Sequence, residues 1–173
     1  PGQRVGLVGQ SGGGKSTLAG LLTGLRQADG GLLLLNGLDR PTIGDAWHRH
    51  VTAAPQFHDN HILSGTLAFN LLMGRQWPAG PAALAEAQQV CEALGLGELL
   101  QRMPAGLHQR IGETGWQLSH GERSRVFVAR TLLQRSQVVL LDESFAALDP
   151  PSLARALDCV LRRAPTLVVI AHP

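Results

Sequence analysis

Gly9-Gln10-Ser11-Gly12-Gly13-Gly14-Lys15-Ser16-Thr17 follows the apolar run Arg4-Val5-Gly6-Leu7-Val8 and leads into a helix-like stretch from Lys15 to Leu25. Strand, glycine-rich turn, helix is the context in which such a loop binds phosphate. Glycines let consecutive backbone N–H groups turn inward without Cβ clashes, and the helix N-terminus adds partial positive charge at the same spot. Lys15 is then set to reach the β- and γ-phosphates of a nucleotide, and the Ser16 hydroxyl to ligate Mg²⁺. The nine residues Gly9, Gln10, Ser11, Gly12, Gly13, Gly14, Lys15, Ser16 and Thr17 are the expected phosphate cradle. Among fifteen basic residues Lys15 is the only lysine, which fits a place where a compact ammonium rather than a guanidinium fork must sit between phosphates.

A partner for that loop lies far downstream, in Val138-Val139-Leu140-Leu141-Asp142-Glu143. An apolar strand ending in two carboxylates puts Asp142 at the carboxyl edge of a sheet, where open α/β folds bind ligands. Asp142 can hold Mg²⁺ through water, and Glu143 can polarise the water that attacks a γ-phosphate. Between the two motifs the pattern alternates. Leu32 to Leu35 reads as a strand ending in the turn Asn36-Gly37, and Val51 to Ala54 as a strand stopped by Pro55. From about Gly65 to Met103 the character turns helical, with Pro81 at a first-turn position. Ser119-His120-Gly121-Glu122 matches a capping box and predicts a helix running to about Gln134. A strand (Gln137 to Leu141), a helix (Ser152 to Arg163) and a strand (Thr166 to Ile170) complete the chain. The expected architecture is an α/β fold with a parallel sheet flanked by helices, plus a helical lobe. Residues 1–58 and 136–173 would form the core, and 59–135 the lobe and its capped helix.

Size and composition agree with one domain. The 173 residues suffice for a real core, and 44% hydrophobic with 16% charged residues is ordinary for a globular protein. Apolar runs such as Gly31-Leu32-Leu33-Leu34-Leu35 are too short to cross a bilayer. The chain starts at Pro1 without an initiator Met and stops at His172-Pro173, so it reads as an excerpt of a longer protein. Cys91 and Cys159 lie in helix-like stretches and suit buried thiols better than a disulfide framework. A net charge of +2 with scattered arginines excludes a nucleic-acid footprint. Arg123, Arg125 and Arg130 are expected on a solvated helix face. Trp47, Trp77 and Trp116 read as packing or interface residues, and the pairs His48/His50 and His58/His61 as loop histidines rather than metal ligands.

Further motifs bring in a resemblance. Leu118-Ser119-His120-Gly121-Glu122 looks like the signature sequence of the ATP-binding cassette (ABC) family, and Ala146-Ala147-Leu148-Asp149 is similar to its D-loop. Gln56 matches its Q-loop glutamine, and His172, after the last strand, its switch histidine. With the two phosphate-site motifs (Walker A and Walker B) these make six landmarks in the family's order, covering essentially the whole chain. The resemblance implies a P-loop NTPase core and a head-to-tail dimer with a second cassette, each ATP held between one subunit's P-loop and the other's signature helix. It implies that Ser119 and Gly121 contact the γ-phosphate and that Gln56 senses Mg²⁺ and the attacking water while linking to transmembrane domains. It also implies that His172 contacts the γ-phosphate and that Asp149 acts across the dimer. Ile62 to Asn70 and Ile111-Gly112-Glu113-Thr114-Gly115 resemble exporter segments, implying fused transmembrane helices and a place on the cytoplasmic face of the cell membrane.

His120 stands where the family usually has glycine and Glu122 where it often has glutamine. The first adds bulk, and the second a negative charge, beside a phosphate. These departures motivate an alternative: a nucleotide-gated module that closes on ATP with little hydrolysis. Glu143 argues against it. A soluble non-transport ABC ATPase is a further alternative. With no tyrosine in the chain, and the family's adenine-stacking aromatic lying upstream of the P-loop, the preference for adenine rests on the resemblance alone.

Overall fold

The computed structural model of the chain describes residues 2–10, 12–56 and 60–171. In chain order the elements begin with strand β1 (Arg4–Val8), helix α1 (Lys15–Leu22), strands β2 (Leu34–Leu35) and β3 (Leu38–Asp39), short helices α2 (Arg40–Ile43) and α3 (Trp47–His50), and strand β4 (Val51–Ala54). Next come strand β5 (Gly65–Thr66), helices α4 (Leu67–Leu71), α5 (Pro81–Ala93) and α6 (Gly97–Arg102), strand β6 (Arg110–Ile111) and helix α7 (His120–Leu133). Strand β7 (Val138–Asp142), helix α8 (Pro150–Arg163) and strand β8 (Thr166–Ala171) follow.

Four strands form one parallel sheet in the order β1-β8-β7-β4. Its inner strand β7 is a continuous apolar run because both faces are covered, as parallel strands require; Val139, Leu140 and Leu141 are buried. At the edge, β1 leaves Val5 and Val8 exposed. One contiguous core joins sheet residues Ala54, Val139, Leu141 and Leu167 to helix residues Leu71, Val90, Cys91, Val128 and Leu133. Each valine or leucine among them contributes roughly 1.5–3 kcal/mol by leaving water.

Local chemistry sets the helix ends. Ser119 caps α7 in a reciprocal box: its hydroxyl accepts from the Glu122 N–H at 3.2 Å, and its own N–H donates to Glu122 Oε2 at 2.8 Å. Asp149 caps α8, accepting from the Ser152 N–H at 2.9 Å ahead of Pro150 and Pro151. Pro81 opens α5.

Three expectations need correction. Helix α1 stops at Leu22 instead of Leu25, because Gly24 takes φ 76° and its N–H turns back to the Leu21 carbonyl. The strand expected over Leu32 to Leu35 is confined to Leu34–Leu35. Asn36 (φ 53°) and Gly37 (φ 83°) fold it into a two-residue hairpin with Leu38–Asp39, apart from the parallel sheet. The arginine face of α7 is not simply solvated. Arg125 donates to the carbonyls of Gly121 (3.2 Å) and Gly95 (2.8 Å). Arg130 reaches the Asn70 and His61 carbonyls and the Asn60 and Asn70 side-chain oxygens at 2.7–3.1 Å, and its burial lowers its pKa.

Candidate functional site

The glycine loop joins the end of β1 to the start of α1. Gly12 and Gly14 hold φ 80° and 79°, a region that residues with a Cβ rarely enter, and nothing lies within 4 Å of where a Cβ would stand. The loop therefore keeps open space over its backbone. Gly13 donates its N–H to the Gln10 carbonyl at 3.2 Å, closing the turn. Lys15, the first residue of α1, is 8% exposed. Its Nζ donates to the carbonyls of Gly9 (2.5 Å) and Gln10 (2.8 Å). Two of its three donors are spent on those carbonyls, leaving an ammonium N–H for an anion over the loop. Ser16 and Thr17 follow in the first turn, both exposed. Ser11 lies outside the described residues.

Sheet register brings the carboxylates to the same edge. Leu7 and Asp142 are both level with Ile170 of β8, one on each side. They are about 10 Å apart across that strand, since neighbouring strands are spaced by about 4.8 Å. Asp142 is 6% exposed. Glu143 leaves the strand with φ 50°, a left-handed turn that is costly for a residue with a side chain, while its N–H continues the ladder to the Ile170 carbonyl at 3.0 Å. On the far side, Ala54 pairs with Leu141, so Gln56, half-buried two residues on, emerges from the same edge. The expected position of His172 lies outside the described residues.

Ser119 and Gly121 stand at the start of α7. A Cβ on Gly121 would meet the Ala147 carbonyl oxygen at 3.5 Å and Leu148 Cδ2 at 3.8 Å, so this helix start lies against the segment leading to Asp149. Hydrogen bonds from the Ser152 backbone and hydroxyl hold the Asp149 carboxyl below its ordinary value. The stretch before the signature is tied down as well: the Gln117 amide donates to the Gly112 carbonyl at 2.8 Å, and Trp116 N–H to the Arg110 carbonyl at 2.9 Å.

The ABC transporter family model matches residues 1–146. The chain belongs to the ABC transporter family. As an ABC transporter domain it is of the ATP-binding kind. It is 37% identical over 174 residues to the mycobactin import ATP-binding/permease protein IrtB of Mycolicibacterium thermoresistibile, with 99% of this chain and 29% of that protein covered. It is 37% identical over 176 residues to the ATP-dependent lipid A-core flippase of Thiobacillus denitrificans, with the same two coverages. Among solved structures, a bacterial Atm1-family ABC exporter with ATP bound superposes at TM-score 0.86 and 31% identity, covering 99% of this chain and 30% of that one. The chain thus spans about 29% of the length of these curated relatives. No helix among the described residues is long and apolar enough to cross a membrane.

Motif reading does not reach several residues of this ABC domain. Arg102 at the end of α6 pairs with Glu122 in the first turn of α7. Arg130 ties α7 to Asn60 and His61, just beyond Gln56. Neither pairing has a sequence signal, because the partners are twenty to seventy positions apart.

Proposed function

We propose that this chain is the ATP-driven motor of an exporter-type membrane transporter, working at the cytoplasmic face through transmembrane helices in the same or a partner polypeptide. A cradle built from Gly9 to Thr17 binds the triphosphate, with Lys15 as its cation. Ser16, Asp142 and Gln56 are the residues that would hold Mg²⁺, which supplies charge neutralisation at the β- and γ-phosphates. Glu143 accepts a proton from the attacking water, Gln56 senses Mg²⁺ and that water, and His172 contacts the γ-phosphate. A second cassette contributes Ser119, Gly121 and Asp149 to each site. Residues of about 1–58 and 136–173 act as the nucleotide-binding core, and about 59–135 as the lobe that carries the signature helix to its partner.

The observation that carries this reading is the common edge. A buried, two-thirds-satisfied ammonium follows β1, and a buried carboxylate ends β7 at the same level with one strand between them. The loop that carries the cation and the strand end that carries the carboxylate thus open on one edge of the sheet, where a nucleotide phosphate and its metal would need both.

The test compares wild type with Glu143→Gln in the full-length protein, measuring phosphate release with and without Mg²⁺. Turnover should require Mg²⁺ and fall about 10²–10⁴-fold in the variant, the usual cost of losing a general base. The variant should retain ATP in a closed dimer. Closure on ATP by a wild type that does not turn over would favour a nucleotide-gated module instead. Mg²⁺-dependent turnover indifferent to Glu143→Gln would remove the assigned base.

A further inference from the structure

Glu122 brings a negative charge into the first turn of the helix whose positive end is proposed to face a γ-phosphate. A glutamate there favours the helix, because it accepts the Ser119 N–H and interacts well with the dipole. It would also oppose an incoming polyanion. The structure resolves this conflict with a residue from another element: Arg102, in the last turn of α6, donates a guanidinium N–H to Glu122 Oε1, while Oε2 takes the Ser119 N–H. Both carboxylate oxygens are thus engaged, and the Glu122 side chain is 12% exposed against 58% for Arg102. Burial alone would raise the Glu122 pKa. Bonds from the Ser119 backbone and hydroxyl and from Arg102 outweigh it and leave the carboxyl below its ordinary value, so it is ionised at neutral pH and needs its counter-charge.

We propose that Arg102 is a positioning residue for the signature helix: it holds Glu122 as the cap of α7 and cancels its charge, so that Ser119 and Gly121 present an electropositive helix end to ATP. The inference rests on the motor reading above. A chain with glutamine in place of Glu122 would keep the cap without the charge and would not need Arg102; glutamate and arginine act as a matched pair.

The test is a double-mutant cycle in the full-length protein, reading steady-state ATPase at several ATP concentrations. Arg102→Ala should raise the half-saturating ATP concentration about threefold to tenfold at low ionic strength, the scale of one screened unit charge a few ångströms from another. The maximal rate should stay within about twofold, since no reacting atom is touched. Added salt should shrink the shift, and Arg102→Lys should restore most of it. In a Glu122→Gln background the same Arg102→Ala change should move the half-saturating concentration by less than about twofold. A shift that persists undiminished in the Glu122→Gln background would overturn the proposal, because Arg102 would then act through the packing of α6. An unshifted Arg102→Ala beside an active wild type would overturn it too, leaving the motor reading intact. A wild type that does not turn over would remove both together.

Discussion

Lys15 is a charged group at 8% exposure whose structural partners are two main-chain carbonyls. An ammonium held that way is oriented before any ligand arrives, so binding costs it little side-chain entropy. Truncation should therefore act on nucleotide affinity as well as on the loop that the ammonium ties together. Charge-assisted hydrogen bonds are worth roughly 1.5–3 kcal/mol each. Lys15→Ala is expected to weaken ATP binding by at least about tenfold in a fluorescent-nucleotide titration, and to lower the thermal midpoint of the unliganded protein as well, because the bonds to the Gly9 and Gln10 carbonyls are lost. Lys15→Arg should not rescue it, since a planar fork does not fit between the Gly9 and Gln10 carbonyls as a compact ammonium does. At this scale the pieces of the candidate site are visible in the sequence because each is a contiguous motif: one loop, one strand end, one cap. Arg130 defeats such reading for the opposite reason. Its acceptors on Asn60, His61 and Asn70 come from a segment about sixty to seventy positions earlier. A helical wheel cannot distinguish an arginine facing water from one facing another segment's carbonyls.

The element that organises the molecule is α7. Ser124, Val126, Phe127, Val128, Ala129, Thr131, Leu132 and Leu133 are all buried along it. It is covered on more than one side, packing on α5, α4 and β4. Its ends are legible in the sequence, from the capping box at Ser119 to a finish one residue short of Gln134. The extent of its burial is not, because periodicity marks one apolar stripe and does not count neighbours. The hairpin partner Leu38–Asp39 is announced only by the Asn36-Gly37 turn, because two-residue strands carry no period at all. The contrast between helices is testable. Leu133, at 0% exposure, should cost about 2–5 kcal/mol on truncation to Ala. Leu161 on α8, at 47% exposure, should cost within about 0.5 kcal/mol. Equilibrium denaturation of the two variants measures both. Similar losses would mean that Leu161 is packed within the folded chain and that this face of α8 is not exposed.

At the scale of the whole molecule, helices and sheet share one core cluster, which includes Cys91 of α5 and Cys159 of α8. These thiols therefore report on cooperativity from opposite parts of the sequence. Burial pushes the Cys91 pKa up to about 12, and burial likewise raises that of Cys159. Since the thiolate is the nucleophile, neither should react with an aromatic disulfide reagent at pH 8 while the chain is folded. The linkage has a definite sign. A thiol held above its ordinary value of 9.0 favours the folded state at pH values above 9 less and less: its contribution is fully present below 9 and fades as pH rises from 9 toward 12. With increasing urea at pH 8, one continuous core predicts that both thiols become reactive in a single transition, at the midpoint seen by circular dichroism. Separate single-cysteine variants assign the signals. Exposure of Cys91 at lower urea than Cys159 would instead show that the segment around α5 opens independently of α8, despite the shared cluster. The helices near α7 would then be able to move against the parallel sheet without global unfolding, as the motor proposed above would require.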